Sequence, residues 1–263
     1  MKIKSFFLSL FLLFSLTLSA IQDKYDIYNF DMKGVIDNRT VIGRLIYAID
    51  LYGIKATDYI SQKGIVQSDN RIRGWVVVLK DITKPRVIFY GFHGLILQGL
   101  HQVTFQENSM SYQDISKKQL AESDLGMVKA RETVLSQFKP LCDVKYNTVL
   151  IEIKERIAVY MIPASPSPDK ISLSGSQVFY TDKQGRNIVE YKTFFEKCIS
   201  YDKLDKDGKK LSEIEIVLPE EKIPPEILVF ESVLHGVPFN VISSDKKKWK
   251  IEKGAIIQKT AGK

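Results

Sequence analysis

Residues 148–162 read Thr-Val-Leu-Ile-Glu-Ile-Lys-Glu-Arg-Ile-Ala-Val-Tyr-Met-Ile. Two apolar runs rich in β-branched residues, 148–153 and 157–162, flank the charged triplet Lys154-Glu155-Arg156. Residues of that kind suit a pleated backbone, and the triplet between them reads as a turn. The segment therefore predicts two consecutive strands, and it sets the expectation for the rest of the chain.

Downstream the same reading repeats. Residues 177–181 and 187–195 flank Asp182-Lys183-Gln184-Gly185, a hairpin signal. Residues 213–218 follow a turn at Asp205-Lys206-Asp207-Gly208, and 227–234, 238–242 and 249–257 read as further strands. Upstream, Trp75, Val77 and Leu79 alternate with neighbours that are also apolar, which predicts a well-buried strand. Residues 81–85 turn the chain into a returning strand at 86–90, and a third follows at 100–106.

Two stretches have helical spacing. Val41, Leu45, Ala48, Ile49 and Tyr52 predict a helix capped by Asn38 and stopped by Gly53, with a second short helix over 54–62. Ser116 and Gln119 form a capping-box pattern ahead of Leu120, Met127, Val128, Val134, Leu135 and Phe138 on one face, and Pro140 ends the run. Gly126 inside it costs about 1 kcal/mol against alanine, so close packing is the expected reason for it. The predicted fold class is α+β, mostly antiparallel sheet with one long amphipathic helix, about 116–139, packed on it. Residues 21–115 form a helix and β-meander region and 116–263 a helix and antiparallel β region, readable as one continuous domain.

The N-terminus carries a different message. Lys2 and Lys4 precede thirteen uncharged residues of Phe, Leu, Ser and Thr (6–18), and small residues follow at Ser19 and Ala20. That is the layout of a cleavable secretory signal, residues 1–20, with cleavage near Ala20. The competing reading is an uncleaved anchor, but a spanning helix needs about 20 apolar residues. The expected location is periplasmic or secreted, with no transmembrane segment in the mature chain. The 44% apolar and 26% charged composition is that of a globular protein. The formal charge of +7 falls to +5 with the signal removed, which inclines the surface toward anionic partners. The expected partner is an envelope protein or an anionic envelope component. Nucleic acid is not expected, because no basic stripe is interleaved with stacking aromatics.

Cys142 and Cys198 make an even pair in an exported chain, which predicts a disulfide; the rival reading is one reactive nucleophile. Of the histidines, His93, His101 and His235, no pair has zinc spacing. Tyr90-Gly91-Phe92-His93-Gly94 has the form of an oxyanion-hole loop, but Ser174-Gly175-Ser176 is not a nucleophile elbow. Asp205-Lys206-Asp207-Gly208 suggests a calcium loop, yet with Gly208 sixth, Lys203 and Ile214 would occupy its first and twelfth ligand positions, which leaves a turn, or a partial site of Asp202, Asp205 and Asp207. No phosphate-cradling glycine loop is present. No cofactor and no metal are expected, and the catalytic residues are unassigned. The leading expectation is a non-catalytic envelope protein that binds a partner or envelope component. The alternative is a hydrolase of an envelope polymer that uses dispersed carboxylates.

From about Ala130 onward the chain resembles a group of uncharacterised exported bacterial proteins. The resemblance rests on Ala130-Arg131, Tyr146-Asn147-Thr148-Val149, Val159-Tyr160, Cys198, Pro225-Glu226 ahead of a Val-Phe strand, and Trp249. It implies an exported, autonomous fold and carries no activity.

Overall fold

A computed structural model describes residues 32–259 apart from 108, 166, 174, 206 and 210. The predicted signal, residues 1–20, lies outside the described residues. The fold is α+β, as expected, and antiparallel pairing dominates its sheets. Among the described residues the first helix is α1 (Met32–Gln62), followed by the short α2 (Ile65–Ser68). The first sheet is a meander in the order β1 (Ile72–Val78), β2 (Arg86–His93), β3 (Ile96–Gln106), β4 (Ser109–Asp114). Helix α3 (Glu122–Gln137) leads to a second sheet. In it, β5 (Tyr146–Ile153), β6 (Arg156–Pro163), β8 (Gln177–Asp182) and β9 (Ile188–Thr193) stand side by side. The short β7 (Lys170–Ser172) pairs instead with β10 (Ser200–Asp202).

The two larger sheets are coated on both faces. Val77, Val87, Phe89, Val149, Ala158 and Tyr160 pack with Ile46, Ile49 and Ile60 of α1. The alternate residues Val76, Val78, Ile88, Leu150, Val159 and Phe179 pack with Met127, Val128, Ala130 and Val134 of α3. Period-two alternation of the strands thus feeds two cores, one under each helix. Both cores draw on strands from either side of residue 115, so residues 32–115 and 116–259 fold around shared interiors.

A third sheet has the order β11 (Ile214–Val217), β12 (Phe239–Ile242), β13 (Lys248–Glu252), β14 (Ala255–Gln258). Its first pair is parallel and is bridged by α4 (Glu226–His235), so one βαβ unit sits within an otherwise antiparallel protein. Helix α4 also crosses α1 closely. A Cβ on Gly43 would lie 2.5 Å from both the Glu226 carbonyl oxygen and Val229 Cβ. Arg39 and Lys192 both donate to Glu221, which ties α1 and β9 to the loop before α4.

Four readings of the sequence are corrected. Residues 227–234 are helical, because a short run that is apolar all round fits a buried helix as well as a strand. The chain ends that ambiguity itself, with extended Pro225 before the first turn and left-handed Gly236 after the last. The Val-Phe pair of the resemblance, Val229-Phe230, therefore lies in a helix. Residues 249–257 form a hairpin, since Lys253 and Gly254 both take positive φ.

Residues 38–62 lie within one unbroken helix, α1, the longest among the described residues. Gly53 does not stop it: a Cβ there would lie 2.3 Å from the Trp75 ring, so this glycine makes room for a neighbour. Finally, the 116–139 helix is shorter than expected. The Ser116 hydroxyl and backbone N–H both donate to Asp114, the helix starts at Glu122, and Leu135 is 37% exposed. The role expected for Gly126 holds, as a Cβ there would lie 2.6 Å from the Lys183 carbonyl oxygen.

Candidate functional site

Cys142 and Cys198 form a disulfide with their Cα atoms 5.8 Å apart, joining the loop after α3 to the segment after β9. Neither sulfur is available as a nucleophile. The Asp205 carboxylate accepts from the backbone N–H groups of Asp207 and Lys209, which makes the calcium-like segment a self-closed turn. Among the described residues no cluster of three His, Cys, Asp or Glu side chains could hold a metal ion. Ser174 lies outside the described residues, and the Ser176 hydroxyl is buried on the Leu173 carbonyl.

The histidines have separate surroundings. His93 stands at the exposed tip of the β2–β3 hairpin, paired in register with Ile96 and not with His101. His101 is buried, with Nε2 3.0 Å from Asp69 Oδ2 and Nδ1 3.0 Å from the Tyr112 hydroxyl. The Arg71 guanidinium hydrogen-bonds Asp69 and holds its carboxyl far below the usual carboxylate range. An ionised Asp69 can only accept, so His101 donates to it through Nε2–H. His235 Nε2 approaches Glu231 Oε2 to 3.0 Å as an ion-pair contact without hydrogen-bond alignment. Burial raises the Glu231 carboxyl, and His235 opposes that rise. Among the described residues no histidine nitrogen reaches a serine or cysteine.

The feature that stands out is the join between the two large sheets. Strands β1 and β5 approach within 8 Å, Cα to Cα, yet no hydrogen-bonded ladder connects them. They run in the same direction, with Trp75 beside Tyr146–Thr148 at one end and Val77–Leu79 beside Leu150–Glu152 at the other. The seam is not closed by backbone hydrogen bonds, and residues of both α1 and α3 line the space at its ends. A cleft opens at each end.

The first mouth, about 340 Å³, is lined by Asp50, Ile54, Thr57 and Asp58 of α1, Trp75 of β1, Arg131 of α3 and Tyr146–Thr148 of β5. Gly53 leaves room for the Trp75 ring, and Gly74 does the same for Arg131, whose Nη1 would be 2.5 Å from a Cβ at that position. Arg131 Nη1 donates to the Tyr90 hydroxyl at 2.6 Å, and that hydroxyl donates to Glu132 Oε1 at 2.5 Å. Asp50 is 6% exposed, and burial alone raises its carboxyl from 3.8 to about 6. Asp58 lies eight residues further along the helix, about 12 Å by helical rise.

The second mouth, about 350 Å³, has an apolar floor of Ile49, Val77, Val78, Met127, Leu150 and Ile151. Lys80, Lys154 and Glu152 stand on its rim, with Lys80 donating to the Ser123 hydroxyl. Asp124, buried at the start of α3, also lines it and is paired with Arg86 at 2.9 Å.

None of these seam residues was singled out as a binding residue from the sequence. Asp50 did carry a signal, being a carboxylate directly beside Ala48 and Ile49 on the buried side of α1. Fold and seam together define an α+β protein with two clefts at the junction of abutting sheets. No protein-family model matches the chain, and neither a curated protein nor a solved structure does.

Proposed function

We propose that the protein is an exported component of the cell envelope that binds an anionic amphiphile and is not an enzyme. The observation that carries this reading is the second seam mouth, an apolar floor beneath Lys80 and Lys154. An acyl chain gains about 0.8 kcal/mol for each CH₂ it buries there, while a carboxylate or phosphate stays at the lysine rim. Arg86 pairs with the buried Asp124, and the two rim lysines outnumber the rim carboxylate Glu152, so the net charge at the mouth favours an anion. Export is supported by the charged, apolar and small-residue order of residues 1–20, and the disulfide suits an oxidising compartment. Among the described residues no helix is long and apolar enough to cross a membrane.

The test uses protein recovered from the envelope fraction, with its N-terminus read by mass spectrometry and its binding of dodecanoate and dodecylamine read by calorimetry. Export predicts a start at Ala20 or Ile21. Dodecanoate is expected to bind and dodecylamine to bind at least about tenfold more weakly, with Lys80→Glu reversing that preference. Equal binding of both, or of neither, refutes the proposal.

A further inference from the structure

The first seam mouth holds a charge that the fold leaves unanswered. Three other acids buried in the chain each have a partner: Arg86 for Asp124, the Tyr160 hydroxyl for Glu226, and His235 for Glu231. Asp50 is as buried as they are and has no hydrogen bond or ion pair among the described residues. A buried carboxylate is costly unless paired, and native proteins pair nearly all of them. Here the carboxylate lines a cleft, so a partner can come from outside.

Arg131 lines the same cleft. Its Nη1 is committed to Tyr90 and Glu132, but Nη2 and Nε have no partner among the described residues. A guanidinium offers five donors in a rigid fork, so an edge remains for a carboxylate. The ring of Trp75 and the phenol of Tyr146 form apolar walls. Gly53 gives the Trp75 ring the close seat it occupies, and Arg131 packs over Gly74.

We propose that this mouth binds a small zwitterion, an amino acid or short peptide, with its ammonium on Asp50, its carboxylate on Arg131 and its side chain against Trp75 and Tyr146. A simple amine would be attracted by Asp50 and repelled by Arg131. A simple anion would meet the reverse, with Asp58 adding to the repulsion. Only a ligand that carries both charges satisfies both walls. The cleft of about 340 Å³ is at the small end of ligand sites, which suits a ligand of this size.

The inference does not rest on the amphiphile reading, and its test separates the two. The full chain is titrated calorimetrically with glycine, leucine, lysine, glutamate and glycyl-leucine, then with the decarboxylated and N-acetylated analogues of whichever binds. At least one of the five is expected to saturate, with both analogues weaker by about tenfold or more. Asp50→Asn is expected to weaken the zwitterion by about tenfold or more, because it removes a charge-assisted hydrogen bond. The variant should keep its circular dichroism spectrum and its binding of dodecanoate. Three results overturn the proposal: none of the five binds at about 10 mM, the decarboxylated analogue binds as well as its parent, or Asp50→Asn binds the zwitterion unchanged.

Discussion

A site that keeps an unpaired charge in the interior should make the protein less stable than it could be, and Asp50→Asn measures by how much. The Asp50 carboxyl is raised from 3.8 to about 6 by burial. At about 1.36 kcal/mol for each tenfold change in acidity, the ionised group costs the folded state about 3 kcal/mol. The sign follows from proton counts. Between pH 3.8 and 6 the folded chain holds a proton on Asp50 that the unfolded chain has released, so this group's contribution falls as pH rises through that window. Above pH 6 the full cost remains. Asparagine does not ionise, so the variant should exceed wild type by about 3 kcal/mol at pH 7.5 and converge with it near pH 4. In a chain of this size that corresponds to about 6–12 °C in melting temperature.

Other groups titrate nearby. Glu231, itself beside His235, faces Asp50 from α4, Arg131 and Tyr146 line the same mouth, and Asp58 shares its helix. The quantity to follow is the difference between variant and wild type in urea denaturation from pH 4 to 8, which includes the relief of Glu231 when the Asp50 charge is removed. A difference that stays flat across that range would refute the unpaired-carboxylate reasoning. A variant less stable than wild type at pH 7.5 would do the same.

Two further outcomes are expected from the packing. Replacing both Cys142 and Cys198 with alanine opens a loop of 57 residues and should lower stability by about 4 kcal/mol in the chain-entropy account; denaturant midpoints of the two proteins check it. Gly53→Ala should destabilise α1 even though alanine favours a helix by about 1 kcal/mol. The added Cβ would sit 2.3 Å from the Trp75 ring, so the loss should come with an altered tryptophan emission spectrum. A stabilised variant with unchanged emission would show that Trp75 does not need that space.

Much of the secondary structure was legible because it is imposed by short-range geometry. Alternation in Ile157, Val159 and Met161 against Ala158, Tyr160 and Ile162 assigns two faces to β6, and the structure buries each under a different helix. The turns at Lys154 and Gly185 are written locally as well, by residues that tolerate or require positive φ. The cysteine pair was legible from count and context.

Other assignments depended on contacts that no local window contains. Residues 227–234 became a helix where the local pattern allowed a strand, and the parallel pairing of β11 with β12 followed from that crossover. Gly53 reads as a stop until the Trp75 ring is seen against it.

The candidate site lies at the far end of this scale. Sequence alone determined the period of most elements, most of the turns between them and the residue pair able to form the bridge, because backbone geometry repeats every two or 3.6 residues. Only the tertiary structure brought Asp50, Trp75, Arg131 and Tyr146 to one cleft, from four elements spread over almost a hundred residues. Asp50's acidity was likewise a tertiary decision: a carboxylate titrates according to the water and charge around it, and those are supplied by distant parts of the chain folding over it.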